Sequence, residues 1–153
     1  MATYFFKLIL SAFLGGILGM EREHLGKVAG TRTYSLVCLG STLFTILSLN
    51  GFGYLKGNEI NYDPSRIAGQ IIVGIGFLGA GLIIRHGFRV RGLTTAAGLW
   101  VSAGIGMSVG CGFYYLAIFA TLLSFLLLFV VRKLNVETKL EKFFGGKETD
   151  EYK

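Results

Sequence analysis

Proline occurs once in this chain of 153 residues, at Pro64, cysteine twice and acidic residues nine times. A single proline excludes proline-rich linkers and leaves long stretches free to form unbroken helices. Cys38 and Cys111 have neither CxxC nor metal-ligand spacing. That excludes a disulfide framework or zinc ribbon and leaves them as small packing residues. Charged residues are 16% of the chain, well below the proportion of about a quarter in ordinary soluble domains. No apolar stretch carries a carboxylate at its centre. No nucleophile, base and orienting residue stand in a readable arrangement, and GIGFLG lacks the preceding strand and the following Lys-Ser/Thr of a phosphate loop. These absences point away from an enzyme and from a resident cofactor.

What is present belongs in lipid. Hydrophobic residues make up 52% of the chain and glycines number 23, with a mean hydropathy of +0.60. The pattern predicts an all-α membrane protein, a polytopic bundle of about five transmembrane helices with glycine-rich packing faces. Residues 1–132 form the transmembrane domain, and 133–153 a charged tail that begins as a short surface helix with Leu140, Phe143 and Phe144 towards the headgroups.

The spans are expected near Thr3–Met20, Thr33–Phe52, Arg66–Arg85, Gly92–Gly110 and Phe113–Val131. The first has no cleavage site after it and ends in Glu-Arg-Glu, so it reads as a retained span from which Lys7 snorkels. Between Arg66 and Arg85 lie eighteen residues, five of them glycine, enough helix for roughly 27 Å. Asp63-Pro64 starts it, with Asp as cap and Pro at the first helical position. This stretch reads as the bundle's spine. Its Gly74, Gly76, Gly79 and Gly81, with Gly15 and Gly19 of the first span, are the expected helix-packing positions. A shift of 62 residues overlays Gly19 on Gly81, Gly30 on Gly92 and Thr33 on Thr95, the outline of a parallel repeat.

A net charge of +6 does not imply nucleic acid, because of where the charges lie. Twelve of the 15 Lys and Arg fall in the first loop, the third loop and the tail. The positive-inside rule makes that side cytoplasmic and the N-terminus external.

Two groups of polar residues are candidate sites. Glu21, Arg22 and Glu23 end the first span, where carboxylates oppose the helix dipole and need a positive partner. Arg22, Lys27, Arg32 or the third-loop arginines are the candidates, and a bound cation is the alternative. Asp63, Arg66 and Gln70 lie at the opposite membrane face, Gln70 one turn deeper than Arg66. They form either interhelical hydrogen-bonding glue or the mouth of a polar cavity, with Asn50 a partner within reach. His24 and His86 read as solvated loop residues.

Three segments, GGILGMEREHLGKVAGTRTYSLVCLGSTLF, DPSRIAGQIIVGIGFLGAGLIIR and VRGLTTAAGLWVSAGIGMSVGCG, together resemble the MgtC/SapB family of bacterial inner-membrane proteins. The resemblance spans residues 13 to 112. It carries the family's E-R-E, G-x-R-T, D-x-x-R-I-A-x-Q, G-I-G-F-L-G-A-G and G-L-T-T-A-A-x-L-W elements, at Glu21–Glu23, Gly30–Thr33, Asp63–Gln70, Gly74–Gly81 and Gly92–Trp100. It implies a plasma-membrane protein linked with magnesium limitation. Virulence members of the family, linked with survival in macrophages and restraint of the ATP synthase, carry a soluble C-terminal ACT-like domain. Only a short charged tail follows Arg132 here, so the short SapB-type branch is the expected one.

Two functions remain open at this point. One is a membrane regulator or interaction protein linked with magnesium homeostasis, acting as a homo-oligomer (a dimer first) or with another membrane protein. The other is an oligomeric cation transporter, with Mg2+ or a coupled proton as substrate or ligand.

Overall fold

The computed structural model describes residues 1–51, 63–87 and 89–133. Five α-helices carry the fold: α1 (Ala2–His24), α2 (Thr31–Ile46), α3 (Ser65–Ala80), α4 (Leu93–Cys111) and α5 (Tyr114–Lys133). A π-helical turn, Leu47–Gly51, continues α2, and a hairpin of β1 (Ile84–His86) and β2 (Arg89–Arg91) joins α3 to α4. Three helical stretches, Ala2–His24, Thr31–Gly51 and Leu93–Cys111, are long and apolar enough to cross a membrane; Ser65–Ala80 and Tyr114–Val130 are shorter apolar helices. Large apolar side chains such as Ile9, Phe77, Trp100, Phe119 and Leu126 point outward. Such a surface is stable facing hydrocarbon and is an aggregation liability in water. This is a membrane protein built as an all-α bundle.

The centre of the bundle is α2, held between α1 and α4. Glycine permits both contacts. A Cβ at Gly15 of α1 would stand 2.6 Å from the Tyr34 carbonyl oxygen, and one at Gly19 would stand 2.5 Å from Thr31 Cα. From the other side, a Cβ at Gly106 of α4 would collide with the Cys38 carbonyl, and one at Gly110 would lie 2.6 Å from Thr45 Cβ. Gly98, Ser102, Gly106 and Gly110 recur every four residues and so form one smooth stripe along α4. Hydroxyls stitch the seam: Ser102 Oγ donates to the Tyr34 carbonyl at 3.1 Å, and Thr42 Oγ1 lies 2.7 Å from the Gly106 carbonyl. The outer helix α5 buries Ala117 and Thr121, and Tyr114 meets Phe6 of α1 edge to face at 5.8 Å.

The glycine-rich third span is not the spine. It lies at the edge, where α3 buries Ile71, Ile75 and Gly79, and a Cβ at Gly79 would stand 3.5 Å from Ala96 Cβ of α4. Among the described residues, a Cβ at Gly69, Gly74 or Gly76 would meet nothing within 4 Å, and one at Gly81 would meet the preceding turn of its own chain. The helix also stops at Ala80, short of Arg85. Its last turn tightens, with Leu82 N–H donating to the Gly79 carbonyl and Ile83 N–H to that of Ala80, both at 3.1 Å. The chain then enters the hairpin, paired Ile84 to Arg91 and Arg85 to Val90. Alternating apolar and basic residues around a glycine turn are the signal for that hairpin, and the expectation of a plain basic loop overlooked it. Gly92 ends it in a left-handed conformation (φ 90°), with no room for a Cβ against the Leu82 carbonyl. Both returning helices of the suggested repeat start from glycine, but Gly30 is extended where Gly92 is left-handed. The expected tail helix with Leu140, Phe143 and Phe144 lies outside the described residues.

The two kinds of glycine separate in a stability measurement. Gly106→Ala forces backbone apart and should destabilise the detergent-solubilised protein by about 1–3 kcal/mol. Gly74→Ala should be neutral or stabilising by up to about 1 kcal/mol, the helix-propensity gain. Thermal or denaturant unfolding of both variants checks the contrast, and equal effects would remove the packing argument.

Candidate functional site

The charged end of α1 divides its three residues between inside and outside. Successive helical positions turn by about 100°, so Glu21 and Glu23 point to different surroundings. Glu21 faces the interior, its side chain only 7% exposed, and Arg22 lies beside it at 4%. Arg22 Nε donates to Glu21 Oε2, so the partner demanded by the unfavourable helix end is the next residue rather than Lys27, Arg32 or a third-loop arginine. The other oxygen, Glu21 Oε1, has no hydrogen-bond partner, the one such buried side-chain polar atom among the described residues. Nearby, the buried Tyr34 donates its phenol to the Thr95 carbonyl at 3.1 Å, and Gly98 leaves the space that phenol occupies.

Glu23 turns outward and performs a different task. The N-cap residue of α2 is Gly30, which has no side chain to offer the free N–H groups of the first turn. Glu23 reaches across the loop instead, its Oε2 accepting from Thr31 N at 2.9 Å. A Cβ at Gly30 would stand 2.9 Å from Glu23 Cβ and 3.0 Å from Oε2, so glycine there makes room for the borrowed cap. Arg32 is exposed close by. Together Glu23, Lys27, Thr31, Arg32 and Thr33 line an open cleft of about 400 Å³.

At the other end of the bundle α3 begins one residue later than its sequence implies, with Pro64 at the N-cap position and Ser65 the first helical residue, and Asp63 stands just ahead of it. Asp63 Oδ1 accepts from Ser65 N at 2.9 Å and from Ser65 Oγ at 2.7 Å. These two bonds, the side-chain one first, hold the Asp63 carboxyl below its ordinary value, with Arg66 adding to the effect. Arg66 Nε lies 4.0 Å from Asp63 Oδ2, both side chains exposed. Gln70 is exposed one turn further in. Asn50 does not reach it and donates instead to the Ile46 carbonyl at 3.2 Å. Ser48 Oγ donates to the Pro64 carbonyl, tying the π-helical turn to the start of α3. The seven polar candidates thus form two separate groups: Glu21, Arg22, Glu23 and Arg32 at one end, Asp63, Arg66 and Gln70 at the other. No group of three or more His, Cys, Asp or Glu able to hold a metal ion assembles among the described residues.

The model of the MgtC family matches residues 8–136. The chain belongs to the MgtC family. It is 46% identical over 135 residues to the Escherichia coli (strain K12) protein named "Putative magnesium transporter YhiD", an alignment covering 88% of this chain and 63% of YhiD. It is 46% identical over 84 residues to Protein MgtC of Brucella abortus (strain 2308), covering 55% of this chain and 32% of that protein. Protein MgtC of Salmonella typhimurium (strain LT2) is 42% identical over 97 residues, 63% of this chain and 38% of its own length. The chain therefore spans less than two thirds of the curated relatives it matches. No solved structure matches it.

In this MgtC-family chain the E-R-E and G-x-R-T elements act as one unit, because Glu23 of the first caps the helix that the second begins. Sequence reasoning missed Lys7 as a structural residue. Its half-buried amine donates to the Gly110 carbonyl at 2.7 Å, a cation on the C-terminal end of α4. It also missed Tyr34 and Ser102, although the four-residue spacing of Gly98, Ser102, Gly106 and Gly110 was there to be read.

Breaking the buried pair should cost far more than deleting it. Arg22→Met leaves the Glu21 carboxylate uncompensated and should destabilise by about 3–5 kcal/mol, while Glu21→Leu combined with Arg22→Met should recover most of that loss. Unfolding of the two variants in detergent tests the pair, and an additive double variant would contradict it. Asp63 has a depressed folded value, so its contribution is fully present above the ordinary carboxylate value of about 3.9 and is lost as pH falls through the folded value. Asp63→Asn retains an oxygen that accepts from Ser65 without titrating. Its stability should fall less steeply than that of the parent between pH 5 and 3, as read by unfolding midpoints; parallel slopes would exclude the linkage.

Proposed function

We propose that this chain is a regulator in the bacterial inner membrane, linked with magnesium homeostasis and acting by contact between membrane helices, first of all with a second copy of itself. The family and the name carried by YhiD support the link with magnesium. The bias of Lys and Arg supports a cytoplasmic C-terminus and an external N-terminus.

The observation that carries the contact reading is the outer face of α3. Gly69 and Gly76 stand open there, Ala80 follows Gly76 at the four-residue spacing of close helix pairs, and Val73 and Phe77 project between them, 66% and 81% exposed. Such a face is self-complementary. About a twofold axis, the Phe77 of each copy fills the hollow over a glycine of the other. The helices α1, α2 and α4 meanwhile fill the centre of the bundle, where the hydroxyls of Thr42, Thr45 and Ser102 bond to backbone carbonyls.

A cation transporter is the second reading, and one observation favours it: the unpartnered Glu21 Oε1 beside Arg22. Two measurements divide the readings. With Cys111→Ser removing the exposed native thiol, Val73→Cys should crosslink to a discrete dimer in membranes, and Gly76→Leu should abolish that product. A protein that stays monomeric sinks the contact reading. In proteoliposomes the parent should pass no more Mg2+ than protein-free vesicles. Flux that Glu21→Gln with Glu23→Gln abolishes would replace regulation by transport.

A further inference from the structure

Among the described residues the bundle is open between α2 and α3. α4 holds α3 in place, while the facing sides of α2 and α3 leave a groove of about 740 Å³, well within the range of roughly 300–1,000 Å³ for ligand pockets. Its walls are mostly apolar, Leu36, Val37 and Phe44 from α2 facing Ile71, Ile75 and Leu78 from α3, with Ser41 and Gln70 the polar residues along it. Gly40 and Gly74 both line it, and a Cβ on either would meet nothing within 4 Å among the described residues. The groove follows α2 from Arg32 to Phe44, twelve residues apart, or roughly 18 Å of helix. One leaflet of hydrocarbon is roughly 15 Å deep, half the core thickness.

The groove does not end in hydrocarbon. Arg32 and Thr33 line its mouth and also line the open cleft that holds Lys27 and Glu23. A channel for an acyl chain therefore runs into a polar cleft at the level of the headgroups. The charges of that cleft sum to +1, from Lys27 and Arg32 against Glu23, and the Glu23 carboxylate is already engaged by the Thr31 N–H. A single phosphodiester balances it.

We propose that the α2–α3 groove and the Lys27–Arg32 cleft together form a binding site for one anionic phospholipid, its acyl chain along Gly40 and Gly74 and its phosphate against Arg32 and Lys27. The apolar walls alone attract any lipid. The cleft selects the anionic one. The site is separate from the outer face of α3 that carries Gly69 and Gly76, so lipid and a second copy bind without competition.

Native mass spectrometry of the full chain in mild detergent tests the site, with phosphatidylglycerol and phosphatidylcholine of identical acyl chains as probes. The parent should retain one phosphatidylglycerol in preference to phosphatidylcholine. Arg32→Gln and Lys27→Gln should each lower that preference about fivefold, the effect of one basic residue near a headgroup. Gly74→Leu, which fills the groove, should lower retention of both lipids while leaving the unfolding temperature without lipid unchanged. Arg85→Gln, an exposed charge on the hairpin, should leave the preference intact. Equal retention of the two lipids by the parent would overturn the proposal, as would a loss in Arg85→Gln as large as that in Arg32→Gln. Protection from unfolding by inorganic phosphate equal to that by phosphatidylglycerol would reduce the site to an anion cleft, and a Gly40→Cys crosslink between copies would give the groove to a protein helix. Either result would also end the proposal.

Discussion

At Tyr34 and Cys38 the backbone of α2 is approached from two sides at once. Gly15 of α1 lies against the Tyr34 carbonyl and the Cys38 side chain, while Ser102 and Gly106 of α4 lie against the Tyr34 and Cys38 carbonyls. Apolar area buried between helices provides little drive in a bilayer, since lipid tails are as apolar as leucine; close van der Waals contact and interhelical hydrogen bonds must supply it. Both require backbones to meet without intervening side chains. The positions of α1, α2 and α4 follow from that one constraint. The two remaining helices, α3 and α5, bury less and present most of their surface to lipid or to other proteins.

The same constraint explains what the charged ends are able to do. Tyr34 fixes the Glu21 end of the seam by reaching α4 at Thr95. Glu21 and Arg22 are drawn into that tightly packed region by the end of α1, and a buried pair of this kind persists only because each member compensates the other. Glu23, two positions on, points away from them and completes the start of α2. The three consecutive charged residues thus combine an interior ion pair with an exterior helix cap. At the far end, Asp63 accepts from Ser65 at the start of α3 and pairs loosely with Arg66, both side chains exposed. Nothing about the two ends is symmetric.

Much of this was legible in the sequence, and the exceptions share a cause. Apolar length identified the helices, Asp63-Pro64 identified the start of α3, and the spacing of Gly15 and Gly19 identified one face of the seam. The expectation that α3 is the spine failed because it weighed the number of glycines and not their spacing. The glycines at 69, 74, 76, 79 and 81 are scattered around the helix, so no single neighbour approaches along all of them. The small residues at 98, 102, 106 and 110 fall on one stripe, and that stripe receives α2. Glycine content shows that close approach is sterically allowed; only a period of four shows that it is used. The hairpin after α3 escaped for a related reason. Arg85, Arg89 and Arg91 were read for charge, while the alternation with Ile84 and Val90 that makes strands was not.

The scattered glycines of α3 leave the helix with two distinct bare surfaces. Gly74 opens towards α2 and Gly69 with Gly76 opens away from the bundle. A helix carrying glycine inside a soluble protein gives up about 1 kcal/mol per residue against alanine, and a membrane helix regains it only where something packs on the exposed backbone. Among the described residues, Gly79 facing Ala96 is the position where that happens. Nothing among the described residues packs on the other faces, and the residues around them differ in kind. One surface is flanked by large projecting side chains, Val73 and Phe77, which suits a helix with matching hollows. The other runs into Arg32 and Lys27 at the membrane surface, which suits a molecule that is apolar along most of its length and negative at one end.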